Sequence, residues 1–237
     1  MKTKVILFDL DGTLLPMDQE IFTKTYFGLL AKKLEPFGYE QKSLIDAVWT
    51  GTIAMFKNNG EKNNEQVFWD SFAKRFGENS RKDIANFEKF YQEDFDKVQI
   101  SAGFNPLSSE VVKIVKEMGF RIGLATNPIF PAIATQKRIK WAGLNKDDFE
   151  IITTYENSNF CKPNPKYYLE IIKQLKVSPE ECLMVGNDVT EDMIAKELGM
   201  KVFLLTDCII NKENKEISQY PNGDFNKLLE FIKTIND

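Results

Sequence analysis

The feature that most constrains the fold is the stretch between Val5 and Gly12. Val5–Phe8 is a continuous apolar run, and Asp9-Leu10-Asp11-Gly12 follows it at once. A short run that is apolar throughout is typical of a strand buried on both faces of a parallel sheet. In open α/β sheets, ligands bind at the carboxyl ends of the strands. The stretch therefore predicts a buried strand that delivers two carboxylates to a ligand-binding edge.

Asp9 and Asp11 should point the same way, because side chains two residues apart share a face of an extended chain. Two carboxylates at about 4 Å repel by roughly 4 kcal/mol when the effective dielectric constant is about 20. A cation that prefers oxygen ligands, such as Mg²⁺, would neutralise the pair. An EF-hand is excluded, since its loop has glycine at the sixth position, whereas Gly12 is fourth from Asp9. A simple Asp-Gly turn stays an alternative for these residues alone.

Composition excludes several classes of function. The sequence contains no histidine, so any general acid or base must be Asp, Glu, Lys, Tyr or Cys. The net charge of −4 argues against a nucleic-acid partner, and no apolar run approaches the roughly 18 residues of a membrane span. The three cysteines are odd in number and scattered, and there is no signal-peptide pattern. We therefore expect a cytoplasmic protein without a disulfide framework.

Helical patterns dominate the chain after the first strand. Amphipathic periodicity predicts four helices, over about 18–34, 41–56, 65–76 and 81–98. A crossover between parallel strands needs only about a dozen residues, so this block is larger than a connection requires. It is predicted to be an inserted α-helical cap domain, residues 17–102. A plain helical layer packed on the sheet is the alternative.

The rest of the chain alternates helix and strand. Strands are predicted at 121–125, 149–153, 182–185 and 201–205, helices at 108–118, 129–141, 166–175, 191–198 and 224–235, and a polar surface excursion at 211–223. The predicted fold class is α/β. Its core, residues 1–16 and 103–237, is a Rossmann-like parallel sheet with helices on both faces.

Polar residues follow several of these strands at the point where each ends. Thr126 and Asn127 follow one strand, Asp188 and Asp192 follow another, and Lys162 lies in a Cys-Lys-Pro-Asn-Pro loop. Each has a simpler explanation: a helix cap for the first pair, acids at a helix N-terminus for the second, and a solvated side chain for the lysine. Their shared place at the carboxyl edge favours a common site.

This order of motifs resembles the haloacid dehalogenase (HAD) superfamily, in its phosphatase-like branch with a helical C1 cap. The resemblance rests on Asp-Leu-Asp-Gly-Thr-Leu at 9–14, Thr126 in Gly-Leu-Ala-Thr, Lys162 in its proline-flanked loop, and Gly-Asn-Asp-Val-Thr-Glu-Asp at 186–192. It covers nearly the whole chain, and the first and fourth motifs together are specific. One departure is Asn187, where an aspartate often follows the glycine.

The resemblance implies a role for each carboxylate. Asp9 would attack phosphorus and form an aspartyl-phosphate. Asp11 would protonate the leaving alcohol and then deprotonate the attacking water. Mg²⁺ would be held by Asp9, the backbone carbonyl of Asp11 and Asp188, with Asp192 in support.

The resemblance also implies how the phosphoryl group is held. The Thr126 hydroxyl and the Asn127 N–H would bind phosphate oxygens at a helix N-terminus, which favours anions. The Lys162 ammonium would neutralise charge that develops on the phosphoryl group. Substrate choice is expected to lie in the cap. Its polar and aromatic residues are candidates to face the site, while for each of them singly a core or surface position is the favoured alternative: Trp49, Thr50, Lys57, Asn58, Asn59, Trp69 and Arg75.

The second carboxylate narrows the reaction, because the dehalogenase branch does not need a proton shuttle at that position. Asp11 thus favours phosphoryl transfer. The predicted function is Mg²⁺-dependent hydrolysis of a phosphoric monoester, a small phosphorylated metabolite. A phosphomutase of the same fold is the alternative, since the core motifs do not separate the two. A phospho-receiver-like switch and a metal-binding scaffold without turnover are weaker alternatives, and the oligomeric state is not predicted.

Overall fold

The computed structural model describes residues 2–236. Within them, six strands form one parallel sheet in the order β3-β2-β1-β4-β5-β6. The strands are β1 (Val5–Phe8), β2 (Arg121–Leu124), β3 (Ile151–Ile152), β4 (Cys182–Gly186), β5 (Lys201–Leu205) and β6 (Asn222–Gly223). Strand β1 lies between β2 and β4, and all four of its residues are 0% exposed. The predicted α/β fold with a central, fully buried first strand is confirmed.

Eight α-helices lie in the described part of the chain. They are α1 (Gln19–Leu34), α2 (Gln41–Phe56), α3 (Asn64–Phe76), α4 (Ile84–Lys89), α5 (Pro106–Glu117), α6 (Ala132–Trp141), α7 (Pro165–Leu175) and α8 (Phe225–Thr234). Local chemistry sets several starts: Asp18 and Glu40 accept N–H groups of the first turns of α1 and α2, and Asn63 forms a capping box with Gln66 on α3. No helix among residues 2–236 has the length and apolarity to cross a membrane.

The fourth predicted helix, 81–98, is the largest error in secondary structure. The chain instead runs through a 3₁₀ turn (Glu78–Asp83), α4, a π turn (Phe90–Asp94) and a second 3₁₀ turn (Phe95–Ser101). Phe90, Tyr91 and Phe95 are nevertheless all buried. Changing the winding lets successive aromatic rings pack on two neighbours, Tyr26 and Trp141. Tertiary packing has overridden ideal helix periodicity.

Two smaller differences lie near the sheet edge. The segment predicted as a helix over 191–198 is a 3₁₀ helix, Met193–Leu198. The predicted surface excursion 211–223 ends in β6, which pairs with β5. Two residues are too few to give an apolar pattern, so periodicity could not reveal this strand.

The four helices after β1, here called the helical insert (residues 19–101), start and finish at one place. Met17 and Ala102 form an antiparallel bridge, and the Gly103 N–H donates to the Pro16 carbonyl at 2.7 Å. The insert also packs on the core, since the ring of Phe95 stacks on Trp141 of α6 at 5.2 Å. The division into a core (1–16 and 103–237) and a cap (17–102) stays a prediction.

Candidate active site

Asp9 directly follows β1 and lies at the centre of the candidate site. Its side chain is largely buried, and Asp9 is 7% exposed. One carboxylate oxygen, Oδ1, lies 2.8 Å from the Lys162 ammonium, and the other, Oδ2, lies 3.1 Å from the Thr13 hydroxyl. Thr13 Oγ1 is also 2.9 Å from Asn187 Oδ1. A hydroxyl has one proton to donate, so Thr13 shares it between the loops after β1 and β4.

Two glycines allow these loops to approach closely. Gly12 has φ +86°, a conformation that other residues adopt only with strain, and a Cβ there would lie 2.3 Å from Asn187 Nδ2. A Cβ on Gly186 would lie 2.1 Å from the Asp192 carboxylate. Both motifs therefore need glycine at these positions for a steric reason that the structure makes visible.

Lys162 joins two carboxylates from different strands. It is 1% exposed, and its ammonium contacts Asp9 at 2.8 Å and Asp192 at 2.6 Å. Burial opposes its charge, but the attraction of Asp192 and Asp9 outweighs burial and holds the pKa of Lys162 well above its usual range. The alternative interpretation of Lys162 as a solvated side chain is wrong.

Asp192 contacts two other residues of the site, Lys162 and Asp188. It is 1% exposed, and while Oδ1 meets Lys162, Oδ2 accepts the backbone N–H of Asp188 at 2.9 Å. Burial raises the pKa of the Asp192 carboxyl, and Lys162 opposes that rise. Because both oxygens are engaged, Asp192 is placed to orient Lys162 and Asp188.

Asp11 has a partner that sequence reasoning missed. One of its oxygens, Oδ2, pairs with the guanidinium of Arg138 on α6, while Oδ1 is buried without a hydrogen-bond partner among the described residues. Arg138 is 1% exposed, and its guanidinium lies 4.6 Å from the centre of the Phe130 ring. Burial raises the pKa of Asp11, and Arg138 opposes that rise. The available signal was a charged residue beside Ile139 on the buried stripe of a helix.

Thr126 and Asn127 lie beside this group. Thr126 is 2% exposed, and its carbonyl accepts hydrogen bonds from the hydroxyls of Thr153 and Tyr167 at 2.6 and 2.9 Å. The Asn127 amide donates to Glu191 at 2.8 Å, and its Oδ1 is buried without a partner in residues 2–236. The loop after β2, which contains Thr126 and Asn127, therefore contacts the loop after β4 through the Asn127–Glu191 hydrogen bond.

The expected helix N-terminus at these two residues is wrong. Helix α6 begins at Ala132 rather than near residue 129, and the Ala132 N–H is already bound by the Glu156 carboxylate at 2.8 and 3.1 Å. A proline disfavours helical geometry in the residue before it, so Pro131 delays the start. The helix dipole thus gives no reason for anion binding at Asn127.

Asp188 lies in the loop that follows β4. Its Oδ1 accepts the backbone N–H groups of Thr190 and Glu191 at 2.7 and 2.9 Å, which fixes its orientation. Glu191 is a further site residue that the motifs did not single out. Burial raises the pKa of Glu191 to about 7, and the attraction of Lys162 opposes that rise.

Known proteins resemble this chain in sequence and in fold. The family model of haloacid dehalogenase-like hydrolases matches residues 3–206. The chain belongs to the haloacid dehalogenase-like hydrolases. It is 30% identical over 206 residues to "Putative phosphatase YhcW" of Bacillus subtilis (strain 168). The aligned region covers 85% of this chain and 83% of that protein. The predicted family and the enzyme class, a HAD-like hydrolase, are confirmed.

Further similarities are more distant. Pyrophosphatase PpaX of Halalkalibacterium halodurans is 25% identical over 209 residues, covering 85% of this chain and 82% of that one. The crystal structure of a HAD phosphatase from Thermococcus onnurineus superposes with a TM-score of 0.59 at 20% identity and covers 100% of both chains. This structural likeness shows the HAD-like fold alone.

The site offers oxygen ligands of the kind that Mg²⁺ prefers. Within the described residues, no group of three or more Asp, Glu or Cys side chains is placed as a complete metal cage. The ligand set that the HAD resemblance implies needs only two acidic side chains, those of Asp9 and Asp188, since its third member is the backbone carbonyl of Asp11. All the members of that set, the Asp9 and Asp188 carboxylates and the Asp11 carbonyl, are oxygen donors, and no nitrogen or sulfur ligand takes part. The residues present therefore fit a hard divalent cation.

Proposed function

We propose that this HAD-like hydrolase is a Mg²⁺-dependent phosphoric monoester hydrolase that acts on a small phosphorylated metabolite through an aspartyl-phosphate. The observation that carries the proposal is the setting of Asp9, a buried carboxylate held by Lys162 at 2.8 Å and by Thr13 at 3.1 Å. A nucleophile held in one orientation needs little reorganisation before attack. The phosphatase and pyrophosphatase names of the relatives support the same reaction class.

The first chemical step uses both carboxylates of the first motif. An Asp9 oxygen attacks phosphorus, and the bond from phosphorus to the ester oxygen breaks. The electron pair stays on the leaving oxygen, which takes a proton from Asp11 and departs as an alcohol. In the second step water attacks the aspartyl-phosphate and gives a proton to Asp11, so that phosphate and the Asp9 carboxylate are released.

The other site residues are proposed to hold and neutralise the phosphoryl group. Lys162 places positive charge beside Asp9, and the Thr126 hydroxyl and Asn127 N–H donate to phosphate oxygens. Mg²⁺ would be held by Asp9, the Asp11 carbonyl and Asp188. Asp192 would fix the backbone of Asp188 by accepting its N–H. When bound, the ion supplies the positive charge that lets a carboxylate approach an anionic phosphoryl group.

Removal of the metal gives a direct test. Protein dialysed against EDTA should lose at least about 100-fold in phosphate release, because two metal-bound carboxylates would then repel the substrate, and 100-fold is about 2.7 kcal/mol. Added Mg²⁺ should restore the rate. Ca²⁺, with the same charge but longer ligand distances, should restore much less. Full activity in EDTA, with unchanged circular dichroism, would contradict the metal dependence.

Replacing Asp11 with asparagine tests the proton shuttle. The variant should slow hydrolysis of an alkyl phosphate by about 10²–10⁴-fold, the usual range for a lost general acid or base. In single-turnover experiments the first step should slow much less with 4-nitrophenyl phosphate, whose leaving group departs without a proton. Equal slowing of this step with both esters would assign the loss to the broken Arg138 pair instead.

The assay also separates hydrolysis from the mutase alternative. Incubation with a panel of phosphorylated metabolites should yield free inorganic phosphate as the only phosphorus-containing product. Conversion of a sugar phosphate into its isomer, without free phosphate, would replace the hydrolase by a phosphomutase. A stable phosphoprotein without turnover would favour the receiver-like switch, and Mg²⁺ binding without cleavage of any ester would favour the scaffold.

A further inference from the structure

A cavity of about 510 Å³ lies between the helical insert and the segments that follow β2 and β3. Its size is in the usual range for small-molecule sites, roughly 300–1,000 Å³. Much of its wall is aromatic, with rings contributed by both sides: Phe22, Tyr26, Trp49, Trp69, Phe130 and Tyr155. Two of these, Trp49 and Trp69, are among the cap residues from which specificity is expected.

The cavity adjoins the candidate active site without including it. Neither Asp9 nor Asp11 lines the wall. Phe130 links the two regions. Its ring lines the cavity, and the centre of that ring lies 4.6 Å from the guanidinium of Arg138, which pairs with Asp11. The wall residues 129–133 are also close to Asn127 in sequence, with only Pro128 between them. A substrate with its phosphate at Asp9 would therefore extend its organic part toward this space.

The wall carries one sign of charge. Glu65, Glu88 and Glu156 line the cavity, and none of its lining residues in the described chain is a lysine or arginine. Glu156 binds the Ala132 N–H, but neither Glu65 nor Glu88 forms an ion pair within residues 2–236. Burial, with repulsion from Glu156 and Glu88, raises the pKa of Glu65. Burial raises the pKa of Tyr26 and Tyr91 in the wall, and the positive charge of Arg138 opposes that rise, but Arg138 itself pairs with Asp11 and does not line the cavity.

A second observation points to a ligand. The Trp69 indole N–H lines the cavity on a side chain that is 5% exposed; the Tyr155 hydroxyl lies near it, but the geometry between them is too poor for a full hydrogen bond, and no other partner is found among the described residues. Buried donors are nearly always satisfied in folded proteins. A ligand with an oxygen or nitrogen acceptor would satisfy this one.

We propose, building on the hydrolase function above, that the cavity binds the organic part of the substrate and that this part is a cation. The ligand class is a protonated amine or quaternary ammonium attached to an apolar or aromatic group that also carries an oxygen or nitrogen acceptor for the Trp69 N–H. Such a cation would meet the carboxylates of Glu65 and Glu88 and the faces of the surrounding rings, which attract positive charge. An acidic organic part would be repelled by the same carboxylates. The chain should thus discriminate against phosphate esters of acids.

Binding without phosphate tests the cavity independently of catalysis. Benzyltrimethylammonium should bind wild-type protein at least tenfold more tightly than the neutral benzyl alcohol or the anionic benzoate, followed by tryptophan fluorescence. The double variant Glu65→Gln/Glu88→Gln should lose this preference. Glu230→Gln, which removes a carboxylate from the exposed face of α8, should keep it. Equal binding of the three probes would overturn the proposal.

Catalysis tests the link to the substrate. Phosphocholine should have a kcat/KM at least tenfold above that of its neutral isostere, 3,3-dimethylbutyl phosphate, and the double variant should abolish the difference. Benzyltrimethylammonium should inhibit competitively, and purely noncompetitive inhibition would overturn the assignment to the substrate's organic part.

Hydrolysis of both esters at equal rates would overturn the cation preference and leave the hydrolase intact. Cation binding without hydrolysis of any ester would instead overturn the hydrolase. If the double variant is unfolded by circular dichroism, the single change at exposed Glu88 serves in its place.

Discussion

Replacing Asp9 with asparagine is expected to reduce phosphate release by at least about 10³-fold, the scale seen when a catalytic nucleophile is removed. An amide does not attack phosphorus, so no aspartyl-phosphate can form. The fold should survive, because Lys162 keeps its partner Asp192 at 2.6 Å and so is not left as an unpaired buried charge. Asparagine also has nearly the same shape as aspartate.

The measurement is free phosphate released under saturating substrate, with acid-quenched protein examined for an acyl-phosphate by mass spectrometry. The matched control is Asp207→Asn, which changes an exposed aspartate just after β5, on the same edge of the sheet. That control should keep wild-type activity. If Asp9→Asn retains even a tenth of the wild-type rate, another group is the nucleophile.

Replacing Lys162 with methionine should have the largest effect on stability. The change leaves Asp9 and Asp192 facing each other at 7% and 1% exposure with no cation between them. Breaking a buried ion pair by removing one partner typically costs about 3–5 kcal/mol. Activity should fall as well, because the phosphoryl group loses its positive neighbour. Urea denaturation at neutral pH measures the change in unfolding free energy.

The cost should depend on pH in a defined direction. Burial already raises the pKa of Asp192, and loss of Lys162 removes the attraction that opposes this rise. A carboxyl whose pKa is higher in the folded state than in the unfolded state destabilises the fold at high pH, and this penalty shrinks as pH falls through the folded pKa and is gone below the unfolded pKa. The variant should therefore lose less stability at pH 5 than at pH 8.

Two further variants complete this test. Lys162→Met with Asp192→Asn removes both charges of the buried pair and should regain part of the lost stability. Lys173→Met, at an exposed position near the end of α7, should change stability by less than about 0.5 kcal/mol. A Lys162→Met variant as stable as this control would show that the buried carboxylates are already neutral.

The sequence was sufficient wherever a local pattern carried the information. The apolar run before Asp9 predicted a strand buried on both faces, and the order of strands and helices predicted a parallel sheet. From those two points it followed that Asp9, Thr126, Lys162 and Asp188 should meet at one edge. The structure joins Lys162 to Asp9 and to Asp192, and it joins Asp192 to the backbone of Asp188.

The rest depended on contacts between distant parts of the chain. Arg138 and Asp11 are 127 residues apart, and nothing in the sequence around either residue indicates the other. The broken winding between residues 78 and 101 follows from packing on Tyr26 and Trp141, which helix periodicity does not contain. The late start of α6 is different, because Pro131 is a local signal for it: a proline disfavours helical geometry in the residue before it.

The junction of the helical insert has a consequence for protein engineering. Its two ends are neighbours, joined by the Met17–Ala102 bridge and the 2.7 Å hydrogen bond from Gly103 to Pro16. A foreign helical module grafted between these ends would need only termini that lie side by side in extended conformation, and the order of the strands would not change. The module would also have to supply an aromatic ring to cover Trp141, as Phe95 does here.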